Sequence, residues 1–98
     1  MSHLERLADW VAAHRVEIEE RGPVRFTRGP EDVPNPSASL VVDLGSAEVE
    51  LLLWATGEAE FNYGQLDSPV FEHVEVESPD EFDALMQRVL ETIMHGGR

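Results

Sequence analysis

The fold of this chain is decided by residues 38–63, which read ASLVVDLGSAEVELLLWATGEAEFNY. Apolar and polar residues alternate in its first part, as they do on a half-buried β-strand. Gly45 and Ser46 then suit a two-residue type II′ turn, whose first position requires a positive φ. This turn keeps the apolar residues of both strands on one face, so the stretch predicts a β-hairpin. The predicted pairs are Leu44 with Ala47, Val42 with Val49, and Leu40 with Leu51.

A second turn around Ala55–Gly57 fixes the register of a third strand. A two-residue loop would place Leu53 opposite Glu60, whereas a three-residue loop with Gly57 in a bulge places Leu53 opposite Ala59. A slip of one residue turns every side chain of a strand to the other face, so only the longer loop keeps the apolar face intact. We therefore predict an antiparallel meander whose further pairs are Leu51 with Phe61 and Val49 with Tyr63.

Two predicted helices flank this meander. Residues 2–21 begin with an S-x-x-E capping box and end at Gly22, which is expected in the left-handed conformation. A second helix has Ser78 as its N-cap and a proline at its first position, and it ends at Gly96. Each helix carries one apolar stripe at helical spacing. The stripes are Leu4, Leu7, Val11 and Ile18 in the first helix, and Phe82, Leu85, Met86, Val89 and Ile93 in the second.

Two further strands, over residues 24–28 and 70–77, complete the predicted sheet, and residues 29–37 and 64–69 are predicted to be loops. The order is therefore helix, five strands, helix. This order predicts a single α+β domain over residues 1–98, with an N-terminal helix, a five-stranded and mostly antiparallel meander, and a C-terminal helix. Both helices are expected to pack on the apolar face of the sheet, giving two layers.

The composition limits the kinds of partner that this chain can bind. Its formal net charge is -13, and its positive residues are seven arginines with no lysine. Nucleic acid and anionic membrane surfaces both require a basic footprint, so binding to either is not expected. A basic protein partner is favoured, although acidity alone also serves solubility. The absence of cysteine and of a signal-peptide pattern predicts a cytoplasmic location.

The other face of the predicted sheet is unusual for an isolated surface. The predicted register places Asp43 opposite Glu48, an unfavourable pair of like charges, and exposes Leu52 and Trp54 among carboxylates. An aromatic centre with a charged rim is typical of protein interfaces, although a helix or a second copy could instead cover this face. The predicted partner-binding residues are these four together with Glu50, Glu58 and Glu60, and with Asp32 and Asn35 of the preceding loop.

No pattern in the sequence predicts catalysis. The four histidines, His3, His14, His73 and His95, lie at spacings that do not match a zinc motif, and no nucleophile elbow is present. His73 is predicted to be a surface residue of a strand. We therefore predict a binding protein with no catalytic residues, no metal site and no cofactor, and the sequence leaves its oligomeric state open.

Two short stretches resemble a known family. Residues 31–44 contain the run Pro34-Asn35-Pro36-Ser37, and residues 53–60 contain W-x-x-G-E-A. Together they resemble the TriTu family of bacterial immunity proteins, which are small cytosolic antitoxins encoded beside polymorphic toxins. The resemblance covers residues 2–95 in layout and residues 31–61 in motif.

The resemblance implies that this chain binds a cognate protein toxin and neutralises it by occluding its active site or its substrate surface. In the TriTu family the founding toxin is an ADP-ribosyltransferase that modifies elongation factor Tu, so the resemblance implies a toxin of this class. An alternative function is that of a secretion chaperone, which would hold a segment of an effector along the sheet. That alternative predicts a stable homodimer.

Overall fold

The structure is a computed structural model, and it describes residues 2–97. Its elements are α1 (His3–Glu19), β1 (Val24–Arg28), β2 (Ser37–Asp43), β3 (Ala47–Trp54), β4 (Glu58–Gln65), β5 (Ser68–Glu75) and α2 (Pro79–Met94). The five strands form one antiparallel sheet in the order β1-β2-β3-β4-β5. The predicted α+β meander between two helices is therefore confirmed.

The register of the three central strands is also the predicted one. Leu40 pairs with Leu51 across β2 and β3, and Leu51 pairs with Phe61 across β3 and β4. Gly45 has a φ of +88° and Gly57 a φ of +100°, so each turn uses a glycine where other residues would be strained. The two turns therefore hold all the apolar pairs on one face.

Both helices cover that apolar face and form one core with it. Each predicted stripe residue of α1 and of α2 is buried. They contact the inward side chains of the sheet in a single hydrophobic cluster that includes Val42, Leu51, Leu53 and Phe61. Burial of this much apolar surface is the main favourable contribution to folding. The structure is thus two-layered, with helices on one side of the sheet only.

The helix ends follow the predicted capping with one exception. The Ser2 side chain accepts a hydrogen bond from the Glu5 backbone at 3.1 Å, and Ser78 accepts one from Glu81 at the same distance. Gly22, however, does not have a positive φ. A Cβ on Gly22 would lie 1.9 Å from the Asp43 carbonyl oxygen, so the glycine is required by a close backbone approach.

One predicted loop is wrong. Residues 64–69 do not form an open loop, because β4 continues to Gln65 and β5 begins at Ser68, pairing Gln65 with Ser68 and Gly64 with Pro69. The turn is therefore only two residues long, Leu66 and Asp67. The last strand accordingly starts two residues before the predicted start and ends two residues before the predicted end. None of the helices in residues 2–97 has the length and apolar character needed to cross a membrane.

Candidate functional site

The face of the sheet opposite the helices carries the candidate site, and we call it the open face. Its side chains come from alternate positions of all five strands, those that do not point into the core. The register aligns them in rows across the sheet. One row is Ser39, Leu52, Glu60 and His73, and the next is Val41, Glu50, Asn62 and Phe71.

Leu52 and Trp54 are the apolar centre of the open face. Both are half-buried, whereas Glu58 at the end of the same region is exposed. Leu52 lies directly opposite Glu60 on β4, as predicted. A tryptophan that keeps part of its ring accessible beside carboxylates can still lose much surface to a partner.

An acidic cluster with one histidine lies on the β5 side of this centre. The Nδ1 of His73 lies 2.9 Å from Glu60 Oε1, and its Nε2 lies 4.0 Å from Glu75 Oε1. Glu58 pairs with Glu75 across the two strands. The hydrogen bond with Glu60 raises the pKa of His73 above its ordinary value, and the charges of Glu60, Glu75 and Glu58 act in the same direction.

The link between His73 and Glu60 was missed by sequence reasoning, which correctly placed His73 on a surface strand. The pairing of β4 with β5 brings the two residues opposite each other. The loop expected over residues 64–69 does not fix a register for β5, so this contact could not be predicted from the sequence.

A shallow cleft of about 240 Å³ lies at the other end of the open face. Glu50 Oε1 accepts a hydrogen bond from Asn62 Nδ2 at 3.0 Å, and both residues line the cleft. Gly64 has no side chain to fill it, and Phe71 forms an apolar wall. The cleft therefore combines carboxylate groups with an exposed ring, a combination that suits a cationic side chain.

Asp43 and Glu48 lie directly opposite each other at the β2–β3 end of the open face, as predicted. The Asp43 carboxylate accepts a hydrogen bond from the Gly45 backbone at 2.9 Å, so it also stabilises the turn. Glu48 is exposed and lines the same cleft as Glu50. These two residues thus extend the acidic surface to the end of the sheet where β2 turns into β3.

The loop residues Asp32 and Asn35 differ in their surroundings. Asn35 Nδ2 donates to the Thr56 hydroxyl at 3.2 Å, and Asn35 Oδ1 accepts from the Thr56 backbone at 3.3 Å. These two bonds tie the loop to the β3–β4 turn beside Trp54. The Asn35 amide therefore has a structural role, while Asp32 is exposed and free of such bonds among the described residues.

The structure brings seven of the nine predicted site residues onto one surface. They are Asp43, Glu48, Glu50, Leu52, Trp54, Glu58 and Glu60. Within residues 2–97, no group of three His, Asp or Glu side chains is placed to hold a metal ion. No family model, curated protein or solved structure matches this chain.

Proposed function

We propose that this chain is an immunity protein that binds a cognate protein toxin through the open face and thereby neutralises it. One observation carries the proposal. A whole face of a five-stranded sheet has no covering helix and combines half-buried Leu52 and Trp54 with closely spaced carboxylates. A toxin surface laid on this face would form the third layer and would bury the tryptophan.

The charge of the chain supports a basic partner. Six carboxylate residues point to the open face, against one arginine, Arg25. The net charge of the whole chain, -13, is negative like the charge of the open face. Summed charge of this kind speeds the encounter with an oppositely charged protein, and the speed falls as salt is added. Fast capture is what an antitoxin requires.

Neutralisation by binding requires no chemistry from the open face. A bound immunity protein would occlude the toxin's active site or the surface that recognises its substrate. The resemblance of residues 31–61 to the TriTu family supports an ADP-ribosyltransferase as the toxin and the cytoplasm as the place of action. Trp54 and Glu58 of that segment lie on the open face, and Asn35 holds the adjacent loop against the β3–β4 turn.

The proposal is tested by binding kinetics with the toxin domain encoded beside this gene. Trp54→Ala should speed dissociation at least about tenfold, because a truncated aromatic anchor typically costs about 2 kcal/mol or more. Val16→Ala removes another exposed apolar side chain, on α1 and away from the open face, and should leave dissociation unchanged. Each variant is first checked for folding by circular dichroism.

A matched pair of double variants tests the role of charge. Glu58→Gln with Glu60→Gln neutralises two carboxylates of the open face, and Glu17→Gln with Glu20→Gln neutralises two exposed carboxylates near the end of α1. The first pair should slow association and weaken its salt dependence more than the second. Equal effects of both pairs, with full protection of cells by Trp54→Ala, would rule out the open face. The absence of a neighbouring toxin gene would favour the chaperone function.

A further inference from the structure

The strand β5 forms one edge of the sheet and has a free backbone side. The Val76 N–H donates to the Gly57 carbonyl at 2.7 Å, so Val76 faces β4. Backbone groups alternate in direction along a strand, which turns those of Phe71, His73 and Glu75 away from β4. Pro69 is another position whose backbone groups point away from β4, so its missing N–H removes no hydrogen bond between β4 and β5. An eight-residue strand thus offers a row of backbone donors and acceptors.

The opposite edge of the sheet is less suited to pairing. The strand β1 has only five residues. The Arg15 side chain of α1 donates to the Val24 carbonyl at 3.4 Å and so occupies part of that edge. The two edges therefore differ, and β5 is the one that remains open along its length.

Three clefts of the described chain border β5. One of about 440 Å³ is lined by Val70, and one of about 220 Å³ is lined by Val74, both on the helix side. The third is the cleft of about 240 Å³ on the open face, beside Phe71. Side chains of a strand alternate between two faces, so a strand laid along β5 would reach clefts on both sides.

Exposed apolar side chains are concentrated at the same place. Phe71 is 71% exposed, Val70 is 43% exposed, and Leu66 in the adjoining turn is 62% exposed. Exposed apolar groups beside a free strand edge are a hazard unless a partner uses them. The strand itself is held in place, because Glu72 accepts hydrogen bonds from Tyr63 at 2.6 Å and from Arg88 of α2 at 2.8 Å.

We propose that the free edge of β5 binds an extended segment of the partner protein as a sixth strand of the sheet. The partner's identity as a toxin rests on the proposed function, but the docking mode does not. On the open side, the carboxylate of Glu75 and the exposed ring of Phe71 select basic side chains in the added strand. On the helix side, Val70 and Val74 select apolar ones. Main-chain bonds then supply affinity, and the alternating side chains supply specificity.

Charge decides between a foreign strand and a second copy of this chain. Antiparallel pairing of two β5 strands would join two chains that each carry a net charge of -13. It would also extend one face that carries six carboxylates and one arginine into a second face of the same composition. A strand in which basic and apolar residues alternate would place its positive charges beside the negative charges of the open face. The occupant is therefore a segment of a basic partner.

The test uses a capped octapeptide of alternating lysine and valine as the probe. Amide hydrogen exchange of the full chain should slow at least about tenfold at Phe71, His73 and Glu75 when the peptide is bound, as backbone bonds form. A peptide of alternating glutamate and valine tests charge, and one with four lysines followed by four valines tests alternation. Both should leave these three amides unprotected.

Proline variants separate the backbone edge from the acidic surface. His73→Pro removes an outward N–H and keeps the ladder to β4, so peptide affinity should fall at least about tenfold. His73→Ala removes only the side chain, and the difference between the two reports the backbone contribution. Arg28→Pro places the same change on the edge of β1 and should have no effect on the peptide. Exchange in the unaltered protein answers the question even if His73→Pro fails to fold.

Two outcomes of the peptide and proline experiments would overturn the inference. One is a peptide that binds without protecting the edge amides, or does not bind at all. The other is a homodimer that sedimentation detects and His73→Pro abolishes, which would make a second copy the occupant. A toxin that binds the open face with the edge amides unprotected would refute strand addition and leave the proposed function intact. A peptide that binds the β5 edge, together with a toxin that does not bind the protein at all, would refute the proposed function and leave strand addition intact.

Discussion

Replacing Gly57 by alanine should be among the most damaging single-methyl additions in this domain. Gly57 has a φ of +100°, and a Cβ there would lie 2.1 Å from the Val76 carbonyl oxygen. Cβ atoms in proteins essentially never approach another heavy atom this closely, so the chain must move. The movement would also disturb the bond of 2.7 Å from the Val76 N–H to the Gly57 carbonyl.

The magnitude follows from these two effects. A non-glycine residue in a strained backbone conformation costs about 1–3 kcal/mol, and losing a backbone hydrogen bond costs about 0.5–1.5 kcal/mol more. The sum is about 1.5–4.5 kcal/mol, a large part of the roughly 5–15 kcal/mol that stabilises a domain. At about 4–8 °C per kcal/mol for this size, Tm should fall by about 6–36 °C.

Gly45→Ala is the matched control for this substitution. Gly45 also has a positive φ, +88°, but a Cβ there would meet nothing within 4 Å. The two variants share the backbone strain and the loss of unfolded-state freedom, so their difference isolates the steric contact. Thermal and urea unfolding, followed by circular dichroism, should show a markedly larger loss for Gly57→Ala. Equal losses for the two variants would refute the reasoning from the contact with Val76.

The remaining predictions concern the core and the titration of His73. Leu51→Ala should cost about 2–5 kcal/mol because the side chain is buried, whereas Leu52→Ala on the open face should cost clearly less; urea unfolding measures both, and similar costs would place Leu52 in the core. The pKa of His73 should fall in Glu60→Gln, because the hydrogen bond that raises it is lost; NMR titration of the imidazole measures this, and an unchanged midpoint would contradict it. A raised folded pKa contributes stability that is fully present below the unfolded value of about 6.5 and is lost as pH rises through the folded pKa. Urea unfolding on either side of this window should therefore show a smaller decline for Glu60→Gln than for the unaltered protein.

The central meander could be predicted because its two turns are specified by single residues. Gly45 and Gly57 each supply a positive φ, and each turn length then fixes one register. The alternation of Leu40, Val42 and Leu44 agrees with the register that the turns require. Such agreement between local turn chemistry and the apolar pattern is what allows a structure to be predicted from its sequence.

The segment W-x-x-G-E-A combines structural and surface positions. Gly57 and Ala59 are buried and are explained by the turn and by packing against Leu53. Trp54 and Glu58 instead point to the open face, and the fold does not require their chemistry. Sequence reasoning could place both on the outward side, but the accessible fraction of Trp54 depends on the side chains around it. The residues of the segment that the fold requires are thus distinct from those that the proposed function assigns to a partner.

The free edge of β5 could not be predicted, for a reason that follows from its position. Residues 64–69 contain glycine, aspartate, serine and proline. In a central strand, which forms hydrogen bonds with neighbours on both sides, these residues are unfavourable, so they indicate a loop. A strand that bonds on one side only is not held to that rule, so Pro69 is compatible with pairing to Gly64. The residues that obscure the start of β5 in the sequence are therefore those that an edge strand can tolerate. Val70 and Val74, which both point to the helix side, are the part of the apolar pattern that remains in this strand.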